Sequence, residues 1–188
     1  MCIRDRTGTL KISEGISGFA NSAIWLIVGA FLFSRGFIKT GLGKRIAYNL
    51  ISAFGSSSLR LAYALALSDL ILAPATPSNT ARVGGVIMPI TTSLAKAFGS
   101  EPQDGPRKIG SFLMQSIYQV NTITSAMFQT SMAGNTLVAA LALQSFGIGI
   151  TWGDWAMAAI VPGIIALIIM PYFICLLYTS DAADELLC

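Results

Sequence analysis

Apolar residues along this chain gather into long blocks set off by short polar or charged stretches. The block lengths predict helices of membrane-spanning size. The first block, residues 16–38, contains Phe19-Ala-Asn-Ser-Ala-Ile-Trp-Leu-Ile-Val-Gly-Ala-Phe-Leu-Phe33. It meets the ~20 residues that a ~30 Å hydrocarbon core requires, and Arg35 and Lys39 close it. Residues 41–56 set Lys44 and Arg45 beside Ile46, Ala47, Leu50 and Ile51. That is an amphipathic helical pattern too short to cross and suited to lying on the membrane surface. Residues 61–95 hold two apolar runs, Leu61–Ala75 and Ala81–Ala95, around the tip Thr76-Pro77-Ser78-Asn79-Thr80. Each run is about 15 residues, or about 22 Å of helix, which is short for a crossing. Pro74 and Pro77 remove backbone donors and end the first arm. The pattern predicts a re-entrant helical hairpin, entering and leaving on one side, with Arg60 and Lys96 at its mouth.

Residues 98–109 carry Gly99, Pro102, Gly105, Pro106 and mixed charges and predict a solvated connector. Residues 110–146 are apolar overall but polar in the middle, with Gln115, Gln119, Asn121, Thr122, Thr124, Gln129, Thr130, Ser131, Asn135 and Thr136. The stretch is too long for one straight span. It predicts two helical pieces broken at Ala133-Gly134-Asn135; the alternative is one long tilted helix whose polar residues bond to neighbouring helices. Trp152, Asp154 and Trp155 mark an interface. A last span covers residues 156–174, with Pro162 and Pro171 as tolerated kinks. The fold class expected is an all-α integral membrane protein with a re-entrant hairpin and a discontinuous helix.

Composition sharpens this picture. The chain has 188 residues, 54% hydrophobic and only 11% charged, where a soluble domain carries about 25% charged residues. A soluble enzyme is therefore excluded. A net charge of +3 with scattered basic residues does not suit a nucleic-acid binder. The absence of His excludes His-based acid–base catalysis and HExxH zinc chemistry. The cysteines, Cys2, Cys175 and Cys188, have neither framework nor CxxC spacing. All three lie in end segments, residues 1–6 and 175–188, that resemble translated sequencing-adapter read-through. The functional region is then residues 7–174, and truncation of a longer protein is expected. Arg35, Lys39, Lys44, Arg45, Arg60, Lys96, Arg107 and Lys108 all fall on one side if residues 61–95 form a hairpin. The loop with Asp154 falls on the other, and the positive-inside rule makes the basic side cytoplasmic.

Ser78, Asn79 and Thr80 sit where the second arm begins. Each can cap a helix, which is an ordinary structural role. At membrane depth the same helix start presents partial positive charge and free N–H groups, which favours anions. Broken helices ending near the midplane are the usual substrate and ion sites of secondary transporters. Asp69 and Arg82 are charges inside the hairpin, where an intramembrane charge usually needs a partner or a water-lined cavity. For Arg82 the readings are attraction of a substrate carboxylate or structural pairing. For Asp69 they are pairing or a proton relay.

Leu72-Ala-Pro-Ala-Thr-Pro-Ser-Asn-Thr-Ala-Arg-Val-Gly-Gly85, followed by Thr124-Ser-Ala-Met-Phe-Gln-Thr-Ser-Met-Ala-Gly-Asn135, resembles the divalent-anion:sodium symporter family. Gly36-Phe-Ile-Lys-Thr-Gly-Leu-Gly-Lys-Arg-Ile-Ala-Tyr48 and Ile160-Val-Pro-Gly163 add to the likeness. The nearest branch resembles 2-oxoglutarate/malate translocators and bacterial citrate or dicarboxylate carriers. The resemblance implies two inverted repeats, each with a hairpin ending in Ser-Asn-Thr, of which this chain holds the first. It implies substrate binding at Ser78, Asn79 and Thr80, which Arg82 joins on the carboxylate-attraction reading above, and a sodium ion at Ser78, Asn79, Gly134 and Asn135. The branch usually carries Asn-Pro where this chain has Asn135-Thr136. No resident cofactor is implied. The expected activity is secondary transport of malate, 2-oxoglutarate, succinate or citrate by exchange or sodium symport. The alternatives are an anion channel or transport of another divalent anion such as sulfate. Expected partners are the carboxylate anions, the lipid bilayer of a bacterial inner membrane and, for the full-length protein, a second copy; no nucleic acid.

Overall fold

The computed structural model describes residues 16–20, 22–54, 57–100 and 109–179. Among them the chain is helical and contains no strand. Its helices are α1 (Ser22–Thr40), α2 (Leu42–Phe54), α3 (Ser58–Leu72), α4 (Asn79–Arg82), α5 (Met88–Ala97), α6 (Ile109–Met127), α7 (Ala133–Phe146) and α8 (Trp152–Thr179). Short 3-10 turns occupy Ser17–Ala20, Ala73–Ala75 and Gln129–Ser131. The connector expected over residues 98–109 lies largely outside the described residues, as do residues 1–6 and most of 175–188.

Local chemistry fixes the boundaries. Ser57 starts α3 before the apolar run, its Oγ accepting from the Arg60 N–H at 3.4 Å. The first hairpin arm then continues through the Ala73–Ala75 turn. Ser78 starts the second arm, its Oγ accepting from the Ala81 N–H at 3.2 Å. Both arms are thus longer than the apolar runs suggest, and Ser58–Ala75 is long and apolar enough to cross a membrane. Arm length alone therefore does not make the hairpin re-entrant.

The second arm is not a uniform α-helix. Pro89 has no N–H and cannot bond the Gly85 carbonyl in the α pattern. The chain widens here into a π-helical turn over Val83–Ile87, and the Met88 N–H reaches back to the Val83 carbonyl. The arm ends at Gly99, whose φ of 67° only glycine adopts freely. There the Ser100 N–H bonds the Ala95 carbonyl and the Gly99 N–H bonds that of Lys96, both at 2.9 Å, a Schellman closure.

The break after α6 lies earlier than the sequence suggests. Phe128 and Met132 are extended, and Gln129–Ser131 forms the link between them. Ala133-Gly134-Asn135 is instead the first turn of α7. The last helix is also longer than residues 156–174. Thr151 and Asp154 form a reciprocal cap, with the Thr151 N–H donating to Asp154 Oδ2 at 3.1 Å and the Asp154 N–H to Thr151 Oγ1 at 3.2 Å. Cys175, near the end of this helix, is buried.

Helix α6 is the centre of the packing. Its Phe112, Leu113 and Ile117 meet Leu61 and Leu65 of α3, Val86, Ile87 and Ile90 of the second arm, Ala47 of α2 and Ile174 of α8. Farther along, Val120 and Met127 meet Ala66 of α3 and Leu167 of α8. Tyr63 on α3 also donates to the Ile168 carbonyl of α8 at 2.6 Å. Between apolar helices in lipid there is little hydrophobic drive, so close van der Waals contact matters, and small residues permit it. The buried Ala62, Ala64, Ala66 and Ser68 of α3 serve this purpose. So does Gly163 of α8, where a Cβ would stand 2.5 Å from Met127 Cγ and 2.7 Å from its sulfur. We expect Gly163→Val to destabilise the helix packing by about 1–3 kcal/mol, the usual cost of overpacking. Addition of Met127→Ala should recover part of that loss. Thermal unfolding in detergent, compared across the single and double variants, checks this.

Candidate substrate and ion site

The hairpin tip, α6 and the break converge on one buried guanidinium. Arg82 is 0% exposed and Asp69, opposite it on the first arm, is 2% exposed. Arg82 Nε donates to Asp69 Oδ1 at 2.8 Å. Nη1 donates to the carbonyls of Thr76, at the tip, and Ser131, in the break, both at 3.3 Å. Nη2 reaches Asn121 Oδ1 at 3.0 Å, Ser125 Oγ at 3.0 Å and Thr124 Oγ1 at 3.2 Å. Thr124 Oγ1 in turn donates to Asp69 Oδ2. An Arg has five N–H donors, and every nitrogen here is engaged by protein oxygens.

Of the two readings of Arg82, this geometry fits structural pairing: the guanidinium has no exposed surface and its nitrogens are engaged by the first arm, the tip, α6 and the break. Asp69 is its counter-charge, and the pair is neutral as a unit, as a buried ion pair requires.

A second set of bonds closes the cut ends of the helices. The last carbonyls of a helix lack intrahelical partners. Asn135 Nδ2 donates to the carbonyls of Ser125 at 2.7 Å and Phe128 at 2.9 Å. Ser131 Oγ lies 2.6 Å from the same Ser125 carbonyl and 2.8 Å from that of Phe128. On the hairpin side, Thr76 Oγ1 donates to the Leu72 carbonyl at 2.8 Å. Thr130 Oγ1 then joins the two halves through the Pro74 carbonyl at 2.9 Å, and Trp152 Nε1 of α8 donates to that hydroxyl at 3.1 Å. Trp152 stacks on Phe128 with ring centroids 5.9 Å apart.

The predicted site residues fall around this cluster. Ser78 caps the second arm. Asn79 Oδ1 accepts from the Thr80 N–H at 2.8 Å, while Thr80 itself is exposed. Gly134 and Asn135 open α7 across the break, and Gly134 is half-buried with a negative φ. The structure therefore brings the tip and the break together through Arg82–Ser131 and Thr130–Pro74. The cage of Asn121, Thr124, Ser125 and Ser131 around Arg82 was not singled out from sequence. The i, i+3, i+4 spacing of Asn121, Thr124 and Ser125, which sets them on one helix face, is the signal that could have revealed it.

Residues 1–185 match the family described as the sodium:sulfate symporter transmembrane region. The chain belongs to this family of divalent-anion:sodium symporters. It is accordingly an integral membrane protein of a transporter family, and its fold is all-α. A Bacillus subtilis (strain 168) protein named for malate transport is 56% identical over 95% of this chain and 37% of its own length. Dicarboxylate transporter 1 of the Spinacia oleracea chloroplast is 49% identical over 93% and 31%. The L-tartrate/succinate antiporter of Escherichia coli (strain UTI89 / UPEC) is 42% identical over 89% and 35%. The chain spans roughly a third of the length of these relatives.

Removing one partner from a buried ion pair strands the other charge. We expect Asp69→Ala and Arg82→Ala each to cost about 3–5 kcal/mol of stability. The double variant should lose less than the sum of the two. Denaturation of purified protein in detergent, read as a double-mutant cycle, measures this.

Proposed function

We propose that this chain forms part of a secondary active transporter of di- or tricarboxylates in a bacterial inner membrane, carrying anions by exchange or with sodium, and performs no covalent chemistry. The observation that carries the proposal is the hairpin tip. Ser78-Asn79-Thr80 opens the second arm next to a broken helix, and buried polar bonds lock the two together. A carboxylate seeks N–H and O–H donors, which the start of the arm and its hydroxyls supply. Sodium, as transported cargo, seeks oxygens. Ser78 and Asn79 at the tip, and Gly134 and Asn135 at the start of α7, offer hydroxyl, amide and backbone oxygens. The names of the relatives, covering malate, dicarboxylates, tartrate and succinate, support carboxylate as the anion. Sulfate is the second reading, favoured by the family description.

In this reading the hairpin is re-entrant. Arg60 at its start and Lys96 at its end are both exposed, and the buried ion pair lies toward the opposite, closed end. Cysteines placed at Arg60 and Lys96 should react with an impermeant reagent from the same side of the membrane. Reaction from opposite sides overturns the re-entrant reading.

The role of Asn79 gives the functional test. Residues 7–174 are placed in the matching span of the full-length Bacillus subtilis relative, and uptake of labelled malate, 2-oxoglutarate and sulfate is measured per protein in the membrane. Asn79→Asp keeps an oxygen but loses the amide donor and adds negative charge beside a dianion, a repulsion of about 4 kcal/mol per unit-charge pair at 4 Å where the effective dielectric constant is ~20. We expect Asn79→Asp to lose affinity at least as severely as Asn79→Ala. If Asn79 only caps the helix, Asp serves as well as Asn, and the Asp variant outperforms the Ala variant. Uptake of sulfate but not of carboxylates would decide for the second reading.

A further inference from the structure

Two tryptophans open α8, and both direct their N–H groups to protein oxygens. A tryptophan at a membrane interface usually keeps its ring in apolar surroundings and its N–H in water. Trp152, the first residue of α8, instead donates through Nε1 to Thr130 Oγ1 at 3.1 Å. Trp155, one turn on, donates to the Ala126 carbonyl at 2.9 Å. Ala126 lies in the last turn of α6, whose carbonyls have no intrahelical partner. The Trp152 ring stacks on Phe128, at the start of the break, with 5.9 Å between centroids and 16° between planes. The Thr151–Asp154 cap fixes the start of α8, and with it the place from which both indoles reach. The first turn of α8 therefore holds the break at the end of α6 and again at the link beyond it.

The bond to Thr130 continues to the hairpin. Thr130 Oγ1 donates to the Pro74 carbonyl at 2.9 Å, and Pro74 belongs to the turn that ends the first arm. A hydroxyl has one proton, and an indole can only donate. The Trp152 N–H therefore takes an acceptor position of Thr130 and leaves the hydroxyl proton to Pro74. Trp152, Thr130 and Pro74 form a chain of two bonds running one way, and each bond in such a chain polarises the next. The bond from Arg82 to the Ser131 carbonyl also ties the hairpin to the break, but it belongs to the junction of charges. The Thr130 chain brings in α8. A separate bond from α3 to α8, Tyr63 to the Ile168 carbonyl, lies farther from the tip.

We propose that Trp152 and Thr130 are positioning residues: they form a latch by which α8 holds the hairpin tip against the break, and its release frees the tip that carries Ser78-Asn79-Thr80. Its purpose rests on the transport reading, because the tip is an anion site only under that reading. The test reads tip opening with no transported anion present, so the two fail separately. The direction of the chain also ranks the variants. Thr130→Val removes both bonds. Trp152→Phe removes one and keeps a ring to stack on Phe128. With Thr130→Val in place, Trp152→Phe has no bond of the chain left to remove.

Residues 7–174 are placed in the matching span of the full-length Bacillus subtilis relative, and the protein is purified in detergent. Amide hydrogen exchange, which reports local opening, is followed by mass spectrometry on peptides covering residues 73–82 at the tip and residues 58–66 of α3 away from it. Loss of one neutral hydrogen bond changes an opening equilibrium by roughly two- to tenfold. Thr130→Val is expected to speed exchange at the tip by at least about threefold relative to the α3 segment. Trp152→Phe should speed it by a smaller factor, and the double variant by no more than Thr130→Val alone. Thr130→Ser, which keeps the hydroxyl, should leave the tip at the parental rate. So should Tyr63→Phe, which removes the other bond to α8. Tip exchange unchanged by either single variant overturns the proposal. An equal rise over the α3 segment, or a double variant whose effect is the product of the two singles, overturns it too.

Discussion

A guanidinium that no water reaches dictates much of this architecture. Arg82 sits on the second arm of the hairpin, while its counter-ion is on the first arm and its remaining acceptors lie on α6, the tip and the break. Withdrawal of any one of these elements would leave a charged donor unsatisfied in a low-dielectric interior, which costs far more than a lost contact between apolar side chains. Where lipid weakens the hydrophobic drive for helix association, such a polar junction supplies both the attraction and its direction. The apolar clusters around Phe112 and Met127 fill space. The Arg82 junction decides which ends meet.

The break beside it follows the same accounting of backbone groups. Interrupting a helix within a buried region frees carbonyls that must find donors. Ser131 and Asn135 lie next to two of them. The amide nitrogen of Asn135 is thereby fixed between the two carbonyls, so one side chain at the start of α7 ties that helix to the end of α6.

Much of this was legible in the sequence, for reasons that differ from one element to the next. The helical content follows from long apolar blocks, and the hairpin from a proline-containing polar tip between two of them. Ser78 as a cap follows from side-chain chemistry. The position of the break was not legible, because Gly134 looks like the weak point while the actual interruption depends on Ser131 and Asn135 bonding back to α6. Arm length escapes a count of apolar residues because Ser57 and Ser78 extend the helices beyond their apolar runs. Pairing of Arg82 with Asp69 was among the readings the sequence allowed, but the rest of its cage could not be read from composition. It depends on four oxygen-bearing residues brought together from α6 and the break, and only the face spacing of Asn121, Thr124 and Ser125 hinted at it.

The π-helical turn ahead of Pro89 has a bearing on the tip that length does not express. A helix advances about 100° per residue. The wide turn at Val83–Ile87 accommodates one extra residue, and so it resets the rotational phase of everything before it by about that angle. Arg82 and the tip residues lie on the far side of this reset, while the apolar contacts of Ile90 lie on the near side. Gain or loss of a single residue in this turn would hardly alter how deep the arm reaches. It would turn the guanidinium away from Asp69 and swing Ser78-Asn79-Thr80 around the arm, so the bearing of the site is governed by a proline that lies outside it.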